Sequence, residues 1–258
     1  MTTSIDPETP APRKSAIGPW LLILGFGGGF ALLVALLLGA QASPRSIEAR
    51  LEAQPALGAT IGAFRESYPD HYAAFLNRLV EIENSEGAEA ADRAALPDLR
   101  RFIAAKSEAI ASAPAAELAA VADAMAAVVT TLQRISIPLC ARFVTRGAQG
   151  ERLPEAALAS VGALNALQFR AARHGEGAGR VARGPLGEAD GAAWFTRIRA
   201  LDPALAERLN GRAVEQPGEQ AQCETGMALY RAAAELPDEQ SANVTAHLVR
   251  QSVRSPAG

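Results

Sequence analysis

The sequence predicts an all-α protein, with a single N-terminal transmembrane helix followed by a helical bundle domain of about six to eight helices. Three observations support this fold class. No charged side chain occurs between Ser15 and Pro44. Beyond that segment, apolar residues recur at spacings of three and four, which is the period of a helix that buries one face. The alternation of period two that marks a half-buried strand is not sustained anywhere.

The N-terminal residues predict a tail followed by a membrane anchor. Residues 1–16 are rich in Thr and Pro and are expected to form a disordered cytoplasmic tail. Residues 17–41 are expected to span the bilayer, because ~20 residues at ~1.5 Å each cover its hydrocarbon layer. A cleavable export signal is the alternative, since Ala40-Gln41-Ala42 is a small-x-small pattern that would be cut after Ala42.

Orientation depends on the basic residues that flank the span. Arg13 and Lys14 precede it, and Arg45 and Arg50 follow it, so the counts are equal. The N-terminal amine and the adjacency of Arg13 and Lys14 favour a cytoplasmic N-terminus. The sequence therefore predicts an inner (plasma) membrane protein whose C-terminal domain is extracytoplasmic, in the periplasm.

Two glycines predict a contact between copies of the span. Gly25 and Gly29 have the four-residue separation that lets two membrane helices approach closely, so a homodimer is one expectation. The alternative is that the neighbouring glycines only loosen the helix.

Charge and cysteine content narrow the class of protein. The chain has 25 basic and 28 acidic residues, and this mild acidity argues against nucleic-acid binding. The only two cysteines, Cys140 and Cys223, follow the span and predict one disulfide in an oxidising compartment. Two buried free thiols are the alternative. The spacing of Cys and His predicts no metal site, and no cofactor is expected.

The exported part is divided into a linker, residues 42–57, and a helical domain, residues 58–258. Its first helical stripe contains Phe64, Tyr68, Tyr72 and Phe75, with Pro69 dividing the helix. A core seam is the main interpretation of this stripe. An exposed groove for partner docking is the alternative.

The remaining helices are placed by prolines. Pro97 is expected to open a helix, and a long helix from Ala115 is expected to kink or break at Pro138. The β-branched residues from Val128 to Thr131 leave a strand as the alternative there. Further helices are expected after Pro154, near residues 192–209 with a break at Pro203, and around Met227 and Val244.

An Arg-rich, Gly-rich loop is predicted from Phe169 to Gly187. Arginine forks beside backbone amides can hold phosphate or carboxylate, so anion binding is one interpretation and a solvated flexible loop is the other. The glycine-rich segment does not contain the Lys-Ser/Thr pair that a nucleotide-binding loop requires. The candidate anion-binding residues are Arg170, Arg173, Arg180 and Arg183.

No catalytic motif is found in the sequence, so the chain is not predicted to be an enzyme. The expected function is that of a protein-binding adaptor or envelope assembly component, whose partner is another envelope protein. A domain that senses or binds an anionic envelope component is the first alternative. An enzyme on an unrecognised helical scaffold is the second.

Overall fold

The computed structural model describes residues 42–55, 57–147, 153–210 and 218–254, and these residues form helices without any strand. The all-α prediction is therefore confirmed for this part of the chain. The predicted span and its Gly25 and Gly29 contact lie outside the described residues. The twelve described helices are α1 (Pro44–Glu52), α2 (Gly58–Ser67), α3 (Pro69–Glu86), α4 (Ala88–Ala105), α5 (Ser107–Ala111), α6 (Ala115–Ile135), α7 (Ile137–Arg146), α8 (Glu155–Glu176), α9 (Glu188–Leu201), α10 (Pro203–Asn210), α11 (Glu219–Ala234) and α12 (Asp238–Arg254).

The described helices outnumber the six to eight expected because single residues separate several neighbouring pairs. Tyr68 separates α2 from α3, Ser136 separates α6 from α7, and Asp202 separates α9 from α10. A proline stands in the first turn after each break, where its missing N–H costs no helical hydrogen bond. The breaks predicted from these prolines are confirmed.

Helix α6 is the central element of the described domain and contacts α7, α8, α11 and α12. It is the one described helix long and apolar enough to cross a membrane by length and composition. In this structure, however, Leu118, Val121, Val128 and Leu132 are fully buried within the domain core. Full burial of such a side chain contributes ~1.5–3 kcal/mol, so packing accounts for the apolar character of the helix. The strand alternative for this segment is wrong.

Residues 42–57 differ from the expected linker. Ser43 and Ser46 form a capping box that starts α1, and Ile47 and Leu51 are fully buried in the core. Arg50 donates a hydrogen bond to Asp92 over 3.0 Å. These contacts make α1 part of the domain, because a helix that buries two branched apolar side chains is held by the core rather than by its own propensity.

Pro97 also differs from its expected position, since it lies inside α4 rather than at the start of that helix. The preceding residues are good helix formers, and Ala91 and Ala95 are fully buried. Packing of this alanine face offsets the hydrogen bond that the proline removes.

The two cysteines hold α7 against α11. The sulfur atoms of Cys140 and Cys223 are 2.00 Å apart, and both residues are fully buried. The predicted pairing is therefore present in the structure. Close contact at this interface also depends on Gly226, where an added Cβ would lie 2.2 Å from Val144 Cγ2.

The connection from α8 to α9, residues 177–187, contacts the turn between α5 and α6 and also contacts α12. Val181 N–H donates to Ser112 O over 2.8 Å, and Arg183 Nη1 donates to Ala113 O. Arg250 on α12 donates to the carbonyls of Arg183 and Gly184 over 3.0 and 3.2 Å. The Arg-rich segment is thus partly helical, up to Glu176, and is then fixed to the domain by these hydrogen bonds.

Candidate functional site

The aromatic stripe is a core seam, as the main interpretation predicted. Phe64, Tyr68, Tyr72 and Phe75 are 2, 6, 5 and 8% exposed. The Phe64 ring stacks on Phe169 of α8 with 4.7 Å between the ring centroids. The structure therefore contradicts the alternative of an exposed docking groove, because these side chains are needed to join α2 and α3 to α8.

Both tyrosines of the stripe direct their hydroxyl groups to carboxylates at the edge of the core. Tyr68 donates to Glu176 Oε2 over 3.0 Å, and Tyr72 donates to Glu48 Oε1 over 2.8 Å. Burial, followed by these acidic partners, raises the pKa of each tyrosine well above its ordinary value. The phenols therefore stay neutral and act as hydrogen-bond donors.

Lys106 completes the group around Glu176. Its Nζ lies 2.7 Å from Glu176 Oε1 and 5.0 Å from the centroid of the Tyr68 ring. Burial raises the pKa of Glu176, but hydrogen bonds from Lys106 and Tyr68 outweigh it, so the pKa is lowered overall. His71 packs with its ring centroid 6.2 Å from that of Tyr68. An enzyme hypothesis would draw on this Glu, His and Tyr grouping, yet both carboxylate oxygens already accept hydrogen bonds from side chains of the fold.

Three of the four predicted anion-binding residues are exposed, and the fourth is buried. Arg170 and Arg173 are exposed on α8, and Arg180 is exposed in the connection that follows. Within the described residues, none of the three makes a salt bridge or a side-chain hydrogen bond, although the charge of Arg173 helps to lower the pKa of Glu176. We call these three residues the arginine trio.

Arg183 does not belong to this exposed group. Its side chain is only 4% exposed, and its Nη2 lies 3.9 Å from Glu239 Oε2. Burial lowers the pKa of Arg183 below its ordinary value, partly offset by Glu239. The prediction of Arg183 as an exposed anion ligand is therefore wrong, because its guanidinium joins the 177–187 connection to the carbonyl of Ala113.

An open pocket of about 540 Å³ lies where α8 ends and α6 begins, and Arg173 is the one member of the arginine trio in its lining. We call it the α8-end pocket. In its lining, His174 Nδ1 of α8 contacts Glu117 Oε1 of α6. The lining residues are Pro114, Glu117, Arg173, His174, Gly177, Ala178 and Gly179.

Close packing of two helices creates this geometry. A Cβ on Gly175 would lie 1.8 Å from the carbonyl oxygen of Ala109 on α5, so only glycine allows α8 to approach α5 this closely. That approach places the last turn of α8 over the start of α6. The pocket therefore depends on a glycine that carries no functional group itself.

Sequence reasoning missed Glu117, Pro114 and Lys106 as members of this region. Glu117 and His174 are separated by 57 residues, and Lys106 and Glu176 by 70, so no local spacing indicates either contact. Glu117 has the ordinary appearance of an acid in the first turn of a helix. Among the residues that the structure describes, His, Cys, Asp and Glu form no group of three or more that could hold a metal ion.

No family model, curated protein or solved structure matches this chain.

Proposed function

We propose that the chain is a single-pass membrane-anchored protein whose exported helical domain acts as a protein-binding adaptor or envelope assembly component. The Cys140–Cys223 pair is the observation that carries this proposal. Both cysteines of the chain are fully buried at disulfide distance, and disulfides persist mainly in oxidising compartments outside the cytoplasm. The uncharged segment from Ser15 to Pro44 supplies the anchor and the export route.

A binding role fits the way in which the acidic groups are used. Glu176 accepts from Tyr68 and Lys106, Glu48 accepts from Tyr72 and Arg65, and Glu117 contacts His174. Each carboxylate thus has partners within the fold, where it closes the edge of the core or links two helices. The arginine trio, by contrast, faces solvent without an acidic neighbour in hydrogen-bond reach.

Membrane fractionation with protease treatment tests this placement. We expect the full chain in the membrane fraction after carbonate washing, and we expect protease added to spheroplasts to remove the helical domain. Release by carbonate would contradict the anchor. Protection of the domain in intact spheroplasts, with digestion only after lysis, would contradict export.

A ligand-binding domain for an anionic envelope component is the second candidate function. The α8-end pocket favours it, because Arg173 in its lining makes no salt bridge within the described residues and a guanidinium in a concave site is suited to recognising negative charge. Thermal unfolding with and without anionic ligands separates the two candidates. A ligand-binding domain is stabilised by its ligand, whereas an adaptor that recognises only a protein surface is not.

A further inference from the structure

We propose that α9 and α10 form a lid that opens from α11 as one unit while the main core of the domain stays folded. We call these two helices, residues 188–210, the α9–α10 lid. This motion is a property of the helical domain and does not depend on either candidate function.

The α9–α10 lid packs through a small apolar cluster that is separate from the main core. The buried members of this cluster are Ile198 and Leu205 of the lid and Ala228 and Ala232 of α11. Both α8 and α9 are described throughout, and α9 buries one residue, Ile198, whereas α8 buries ten. Because local opening costs less free energy where few apolar contacts are broken, the lid is expected to open before the main core unfolds.

Helix α11 stays in place when the lid opens, because its other side is held by the main core. Cys223 is bonded to Cys140 of α7, and Met227 and Tyr230 pack against the main cluster. At about 100° per residue, these positions lie on the side of α11 opposite to Ala228 and Ala232. The disulfide therefore fixes which side of α11 can be uncovered.

The polar contacts across this boundary can be exchanged for water. Trp194 Nε1 donates to a backbone carbonyl of α11 over 3.0 Å, and both groups are partly buried. Asn243 Nδ2 of α12 donates to Asp190 Oδ2 over 2.9 Å. Arg197 forms an ion pair with Glu235 of α11, and exposed pairs of this kind contribute little to stability. These contacts orient the closed lid, and their loss is partly offset by hydration.

Opening of the lid also uncovers a pocket of about 230 Å³. Leu201 and Asp202, at the junction of α9 and α10, form one part of its lining, and residues of α6 and α11 form the rest. Met227 and Ala228 are the apolar lining residues contributed by α11. The lid therefore controls the access of solvent to this part of α11.

Hydrogen–deuterium exchange of the purified full chain in a neutral detergent, read by mass spectrometry of its peptides, tests the proposal. The amides of α9 should exchange about tenfold or more faster than those of α8, because lid opening costs less free energy than global unfolding. Exchange of α9 should also depend less on urea, since opening of the lid exposes less surface.

Ile198→Val and Ile61→Val form a matched pair of variants. Each removes one methyl group from a buried isoleucine, the first in the lid cluster and the second in the main core. Ile198→Val should speed the exchange of α9 about two- to tenfold. Ile61→Val should speed the exchange of α8, on which α2 packs, and should leave α9 unchanged, because lid opening does not break the contacts of Ile61.

Two results would overturn the proposal. Equal exchange of α9 and α8 in the unmodified chain would show that the lid does not open separately. Equal acceleration of both helices by Ile61→Val would show that both exchange only through global unfolding. The first comparison needs no variant, so it decides the matter even where a substitution prevents folding.

Discussion

The hydroxyl groups of Tyr68 and Tyr72 show how single residues seal the edge of this core. Each ring is buried among aromatic side chains, while its O–H reaches a carboxylate on another helix. Each tyrosine therefore buries an apolar ring and also donates a hydrogen bond to a carboxylate. A phenylalanine would bury the same ring but would leave the carboxylate without this donor. The effect of removing only the hydroxyl is therefore measurable.

Tyr68→Phe is expected to lower the free energy of unfolding by about 1–2 kcal/mol, because a partly buried hydrogen bond to a charged group is lost. Tyr230→Phe is the matched control, since the Tyr230 hydroxyl makes no side-chain hydrogen bond within the described residues. Urea unfolding followed by circular dichroism measures both. Equal effects of the two substitutions would show that the Tyr68–Glu176 contact does not stabilise the domain.

Glu48 and Glu176 predict loss of stability in acid. The pKa of each carboxyl group is lower in the folded chain than its usual value near 4.5. Hydrogen bonds from Tyr72 and then from Arg65 lower the pKa of Glu48. Burial raises the pKa of Glu176, but hydrogen bonds from Lys106 and Tyr68 outweigh this effect. The stabilisation that they provide is fully present above pH 4.5 and is lost as pH falls through the folded-state pKa. Urea titrations at pH 6 and pH 3.5 should show this fall, and Glu176→Gln should reduce it. An unchanged pH dependence in that variant would contradict the assignment.

At the scale of elements, close packing of α8 against α5 sets the position of the candidate site. Gly175→Ala would place a Cβ 1.8 Å from the Ala109 carbonyl oxygen, and a backbone atom cannot move aside cheaply. We expect a loss of about 1–3 kcal/mol in the free energy of unfolding. Thermal and urea unfolding measure the change.

Gly62→Ala provides the contrast for that substitution. Gly62 lies inside α2, and beyond its chain neighbours and the adjacent backbone of its own helix no atom lies within 4 Å of an added Cβ. Alanine there should stabilise the domain by about 0.5–1 kcal/mol, because glycine costs more backbone entropy in a helix. Destabilisation by Gly62→Ala, or tolerance of Gly175→Ala, would contradict the packing described.

Helix breaks were predictable from sequence wherever a proline begins a helix, as at Pro69, Pro138 and Pro203. Pro97 and α1 were not predictable, because tertiary packing decides both. The buried side chains of Ala91 and Ala95 stabilise α4 on the N-terminal side of its proline. Those of Ile47 and Leu51 pack α1 into the core. Local propensity does not contain this information.

The candidate site was predictable only in part, for a related reason. The arginine trio is close in sequence, so its positive charge is visible there. The contact between His174 and Glu117 and the burial of Arg183 depend on how distant helices pack. Sequence composition left anion binding as one interpretation beside a solvated loop, and the fold decided which arginines remain exposed.

At the scale of the whole molecule, the Cys140–Cys223 bond joins segments 83 residues apart. In the chain-entropy model, closing a loop of this length stabilises the fold by about 4 kcal/mol. Cys140→Ala with Cys223→Ala should therefore lower the midpoint of urea unfolding. Each single substitution should have a similar effect, because either one removes the bond. Unchanged stability of the double variant in oxidising buffer would show that the bond does not form.

The intact mass of the chain recovered from membranes, after alkylation in denaturant without reduction, tests the central claim most directly. The account predicts the full-length mass with neither cysteine alkylated, since an anchored domain in an oxidising compartment keeps both sulfurs in the disulfide. A mass beginning at Ser43 would contradict the retained anchor. Two alkylated cysteines would place the domain in a reducing compartment and contradict export.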